Sequence, residues 1–164
     1  MPFAYYNRLT KNQKRIYRAS DEIEAVKLTK RTPVAQIAKD IATALQAEDQ
    51  QATAQLSANF VAAICTDLNI SRARVRVMHK RPSDDYGELH GLYEPAEDRG
   101  LAKITVWMRT AKKSDVVAFR TFLRTLLHEL CHHLDYEFLE LDDSFHTQGF
   151  FKRESSLFHQ IIDK

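Results

Sequence analysis

The sequence predicts a single α+β domain with N-terminal helices, a small antiparallel or mixed three-stranded sheet, and two helices after it. Three observations carry the prediction. Apolar residues recur at helical spacing over residues 34–68 and again over 119–134. The period shortens to two over residues 73–77 and 104–108, as half-buried strands require. No Gly/Ser-rich linker, repeat or low-complexity tract separates these stretches, and 164 residues suit one core.

Taken in order, residues 10–18 read as a short helix, with Thr10 as N-cap and Gln13 completing a capping-box pattern. The stretch to Lys30 has no clear period. Residues 1–31 are therefore expected to form a basic arm packed loosely on a domain of residues 32–164. Thr32-Pro33 is a helix start signal, and Val34, Ile37, Ala38, Ile41 and Leu45 follow at helical spacing. Glu48 to Gln51 should break or bend that helix, and a second runs through Leu56, Phe60 and Ile64 to about Leu68. Asn69-Ile70-Ser71 reads as a turn. Ala73, Val75 and Val77 then alternate with Arg72, Arg74 and Arg76, giving a strand with one apolar and one basic face. A turn-rich loop (81–87), a weaker strand (Glu88 to Glu94, with Gly91 marking a bulge or close approach) and a clear strand (Lys103 to Arg109) complete the sheet.

Composition narrows the function classes. The hydrophobic share is 44% and the charged share 28%, ordinary for a globular protein. No apolar run approaches the roughly 18 residues of a membrane helix, so no membrane partner is expected. Residues 1–8 carry no apolar signal-peptide core. Two cysteines, Cys65 and Cys131, are too few for a disulfide framework or a four-cysteine zinc ribbon. A reducing, cytoplasmic setting is the expectation. Net charge is only +2, but residues 1–31 hold eight Lys/Arg against three acidic residues. That arm and the Arg72, Arg74, Arg76 face are the two candidate contacts for nucleic acid.

The chemistry concentrates on the helix expected to start at Ser114-Asp115 and continue from Val116. It contains His128-Glu129-Leu130-Cys131-His132, a His-Glu-x-x-His pattern. Positions i and i+4 project about 40° apart on a helix, so both imidazoles can reach one metal ion. Phe119, Leu123, Leu126, Leu130 and Leu134 fall on the opposite face at about 160–240° from His128. Glu129 stands at the edge of the histidine stripe as a candidate general base. Asp135 shares the stripe and suits a carboxylate that orients a ligating imidazole. His133 and Cys131 project elsewhere and read as packed residues. His79, His90 and His159 have no assigned role.

A catalytic zinc takes three protein ligands and leaves one position open. After the helix, His146 follows His132 across an acidic, loop-like segment (140–144). Glu154, within an expected helix from Gln148 to Ile162, is the carboxylate alternative.

With His128-Glu129-Leu130-Cys131-His132 and His146-Thr147-Gln148-Gly149-Phe150 in hand, the chain resembles the SprT-like zinc metallopeptidases, the Spartan-type proteases, over roughly residues 70–160. That group has a similar third His followed by an aromatic in the next helix. Thr147 stands where members often have a smaller residue. The resemblance implies a zincin-like fold, one catalytic Zn²⁺ held by His128, His132 and His146, and Glu129 as general base. It also implies a strand along the cleft, with Lys103 to Arg109 the expected substrate-pairing strand.

The expected function is hydrolysis of a peptide bond in a protein or peptide substrate by Glu-assisted attack of zinc-bound water. Tyr86, His90, Tyr93 and Tyr136 are the candidate oxyanion donors. Two alternatives remain open. One is a non-catalytic zinc-containing nucleic-acid-binding or regulatory module; the other is a regulatory peptidase of the ImmA/IrrE-like kind, which shares the first motif.

Overall fold

The computed structural model describes residues 1–162. Among them are five α-helices, α1 (Lys11–Glu22), α2 (Arg31–Gln46), α3 (Gln50–Asp67), α4 (Phe119–Glu137) and α5 (Gln148–Ile162), after a short 3-10 turn at Ala4–Arg8. The strands are β1 (Arg74–Lys80), β2 (Ser83–Asp84), β3 (Gly87–Glu88), β4 (Gly91–Glu94) and β5 (Lys103–Arg109). This is the expected α+β domain with a mixed three-stranded sheet. Its order is β1-β5-β4, with β1 parallel and β4 antiparallel to β5.

Alternation gives the sheet two unlike faces. Val77, Ile104, Val106 and Met108 point inward to one core shared with Phe60, Ile64, Leu123, Leu126, Leu127 and Leu130. Arg74, Arg76, Met78 and Lys80 of β1 point outward beside Lys103, Thr105, Trp107 and Arg109 of β5. Helix α3 packs on β1, and α4 packs on β4 and β5.

Several boundaries move for identifiable reasons. Thr10 and Gln13 form the expected capping box, but α1 continues to Glu22. Helix α2 begins at Arg31, ahead of the expected Thr32 cap. Its entry is held by Asp67, which accepts from the Thr29 and Lys30 amides at 2.8 and 3.0 Å and from the Thr29 hydroxyl. The break between α2 and α3 falls at Glu48, in the left-handed region at φ 55°, and Asp49 caps α3. The expected strand at Glu88 to Glu94 is divided: Gly87–Glu88 turns back on Ser83–Asp84, and only Gly91–Glu94 joins the main sheet.

Helix α4 starts at Phe119, later than Ser114-Asp115 suggests. Ser114 has φ 54°, Val116 bridges Arg109, and the Val117 amide donates to the Met108 carbonyl. The two β-branched valines thus extend the sheet's hydrogen bonding instead of opening a helix.

The strand Lys103–Arg109 is the centre of the sheet, paired on both sides. It has no free edge for a substrate; the antiparallel edge strand is β4. Nor is the N-terminal stretch loose. Ile16, Tyr17, Ser20, Val26 and Leu28 are buried, and α1 packs on α5.

The Asp67 cap is testable. Hydrogen bonding from the Thr29 hydroxyl, opposed by partial desolvation and aided by the Thr29 and Lys30 amides, lowers the Asp67 pKa. A depressed folded-state value stabilises the fold above the unfolded pKa of about 3.9, and that stabilisation is lost as pH falls through the folded value. Asp67→Ala should cost about 1 kcal/mol in urea denaturation at pH 7. The difference from wild type should shrink in strong acid; a gap that widens there would contradict the role.

Candidate metal centre

The histidines meet as helix geometry requires. His128 and His132 project from successive turns of α4, and the 138–147 segment brings His146 back over them. The His146 Nε2 atom lies 3.1 Å from His128 Nε2 and 3.0 Å from His132 Nε2. One ligand atom from each lies within 4.8 Å of the others. Phe150, fully buried, lies under the group with ring centroids 4.7 to 5.2 Å from the three imidazoles.

Hydrogen bonding around the rings decides what they present to one another. His128 Nδ1 faces Glu154 Oε1 at 2.8 Å, so it carries the proton and leaves Nε2 a lone pair. The Ser144 hydroxyl donates to Asp135 Oδ2 at 2.7 Å and therefore accepts from His132 Nδ1 at 2.7 Å, which leaves a second lone pair at His132 Nε2. His146 Nε2 has at most one proton to offer two lone pairs. A cation between the three nitrogens satisfies them all. Tetrahedral zinc with bonds near 2.0–2.1 Å would separate its nitrogen ligands by about 3.3 Å, close to the 3.1 and 3.0 Å from His146 to the other two. The donor set fits a small divalent cation.

Burial and neighbouring charges act differently on the three rings. Burial, reinforced by His128 and His146, pushes the His132 pKa down to about 3, and His146 is lowered by burial and His128. Burial works against protonation of His128 too, but the Glu154 hydrogen bond and the charges of Glu129 and Glu154 raise it overall. Burial pushes the Glu129 carboxyl up to about 7, with His128 opposing and Glu154 adding to the rise.

Glu129 is buried against the end of β4. A Cβ placed on Gly91 would lie 2.8 Å from Glu129 Oε2, 2.9 Å from Glu129 Cγ and 2.9 Å from Thr125 Cγ2. Only glycine lets the edge strand approach the helix this closely. Two open cavities flank the contact, and Gly91 and Glu129 line both. One, of about 410 Å³, is completed by His90, Arg124, Thr125, His128, Phe151 and Glu154. The other, of about 280 Å³, is completed by Leu92, Tyr93, Pro95, His132, Tyr136 and Ser144.

Glu154 lies outside the nitrogen cluster. Its carboxylate meets His128 Nδ1 at 2.8 Å and Arg124 at 3.5 Å, while His146 is the third member of the nitrogen group. Asp135 reaches His132 through Ser144 and not directly. Its other oxygen receives Arg153 at 3.0 Å in a fully buried pair. His133 is packed as expected: Nε2 donates to the Ser71 carbonyl at 2.6 Å and Nδ1 accepts from Tyr93 at 2.9 Å. Cys131 is buried, and desolvation raises its thiol pKa well above the ordinary value.

Sequence reasoning missed Ser144 and Arg153. Ser144 left no signal, being one hydroxyl in a polar loop. Arg153 left one: it falls on the apolar stripe of α5 with Phe150 and Leu157. No family model, curated protein or solved structure matches the chain.

The assignments of His146 and Glu154 separate by ranking. His146→Ala should abolish tight metal uptake, whereas Glu154→Gln should weaken it by about 10- to 100-fold. Equilibrium dialysis with zinc measures both; a larger loss from Glu154→Gln would exchange their roles.

Proposed function

We propose that the protein is a zinc-dependent metallopeptidase of the SprT-like kind. The observation that carries this reading is the convergence of three imidazole Nε2 atoms beside a buried carboxyl, Glu129, in the wall of an open cleft. His128, His132 and His146 would hold the ion. Zinc bound there supplies Lewis acidity, which polarises a carbonyl and brings the pKa of water towards about 7.

Glu129 accepts the proton of the attacking water on its carboxylate and returns it to the leaving amide nitrogen. Its carboxyl lines both cavities beside the histidine group, where it can reach a water held there. An extended peptide would pair with the edge strand β4 beside Gly91, with the two flanking cavities open to its side chains. Among the candidate oxyanion donors, Tyr86 is exposed in the β2–β3 turn and the Tyr93 hydroxyl is committed to His133. The Tyr136 hydroxyl donates to Asp143 at 3.4 Å, which leaves His90, in the wall of the larger cavity, as the better placed.

Glu129→Gln tests the reading. The variant should retain about one zinc per chain and lose roughly 10²- to 10⁴-fold in kcat/KM on an unfolded protein substrate. Undiminished cleavage would remove Glu129 as the base. Wild-type protein that binds zinc but cleaves no peptide would favour the non-catalytic or regulatory alternatives.

The outward sheet face supports a nucleic-acid contact as a second reading. Cross-strand register sets Arg74 beside Lys103 and Lys80 beside Arg109, with Trp107 and Met78 between, and Arg72 leads into the strand. Cations around an aromatic suit single-stranded nucleic acid. Of the basic N-terminal residues, Lys11, Lys14, Arg15 and Arg18 lie on α1, which packs on α5. Replacing Arg74 and Arg76 by Ala should reduce the salt dependence of single-stranded DNA binding by a slope of about 1–2. Unchanged binding would remove this face from consideration.

A further inference from the structure

His128 and His132 have side-chain partners on Nδ1; His146 is held differently. Its Nδ1 has no partner among the described residues, and the residue is exposed. Its ring is therefore placed by its backbone, and the backbone is fastened from the far end of the sequence. The Tyr5 hydroxyl donates to the His146 carbonyl at 2.6 Å. Ser20 Oγ and Thr147 Oγ1 are 3.0 Å apart, and the Gly149 amide donates to Asp21 Oδ1 at 2.9 Å. A Cβ on Gly149 would lie 2.5 Å from the Ser20 carbonyl oxygen and 2.6 Å from that of Asp21, so α1 is seated directly on the start of α5.

Resting on the metal-centre reading, we propose that residues 1–23 are a positioning element of the centre, with Tyr5 setting the place of His146. Tyr5 is the positioning residue because its bond falls on His146 itself. Its ring is braced edge-on by the buried Tyr17 at 5.6 Å, and Tyr17 also lies against Phe145, the residue before His146, at 6.3 Å. Losing the hydroxyl frees the His146 carbonyl and lets the third nitrogen drift from the other two.

The experiment pairs Tyr5→Phe with Tyr6→Phe in the full chain. Tyr6 also packs on Tyr17 and its hydroxyl accepts from Arg18, so its variant removes an equivalent hydroxyl without touching the histidine segment. Co²⁺ titration followed by visible ligand-field absorption, zinc competition, and thermal unfolding of the metal-free protein are the readouts. Tyr5→Phe should raise the zinc dissociation constant by about tenfold and alter the Co²⁺ bands, while Tyr6→Phe matches wild type in both. The metal-free midpoints of the two variants should be alike. Equal metal behaviour of the two variants, in either direction, overturns the assignment. Wild-type protein that takes up neither metal overturns the metal reading itself and this inference with it, an outcome told apart by needing no variant.

Discussion

The buried ion pair between Arg153 and Asp135 is the constraint on which the lower half of the molecule depends. Both side chains are almost wholly removed from water. Desolvating two charges is costly, and the geometry offsets it only when the remaining donors and acceptors are also satisfied. Here they are: Arg153 also donates to the Ser20 and Ile23 carbonyls and to Ser20 Oγ, and Asp135 accepts from Ser144. Removing one partner of such a pair typically costs about 3–5 kcal/mol. The pair joins α4 to α5 and both to the end of α1. It also fixes Ser144, and through Ser144 the tautomer of His132.

Above that pair, the centre is shaped by two opposed demands on α4. Its apolar residues must reach the core under the sheet, while His128 and His132 must face an open cleft. The helix meets both because Glu129 lies at the boundary, buried by the edge strand but lining both cavities. Gly91 is what allows the edge strand to come so near. Desolvation of Glu129 follows from that approach, and so does its raised pKa.

Most of the periodic structure was legible in the sequence, because α2, α3, α4 and β5 each bury one face and their apolar spacing records it. The His-Glu-x-x-His pair was legible for the same reason, as was His133, which fell outside the metal stripe. What was hidden depended on pairing across the chain. Nothing in Lys103 to Arg109 says that it lies between two strands. Val116-Val117 carried good local helix-start signals just ahead of it, yet sheet hydrogen bonds won. The stretch before Lys30 lacks a period because its buried residues pack as single anchors, Val26 and Leu28, outside any helix. Ser144 acquires meaning only once Asp135 and His132 stand on either side of it.

The seat of α1 on α5 joins residues separated by more than 120 positions, since Ser20 meets Thr147 and Arg153, and Tyr5 meets His146. Contacts of such separation carry the largest loop-closure entropy in the chain and form only after their partners have been synthesised. Helix α1 must therefore wait for α5 before it can dock. The third imidazole is secured at that same closure. Until α1 and α5 meet, the paired histidines of α4 stand without the contacts that hold His146 beside them.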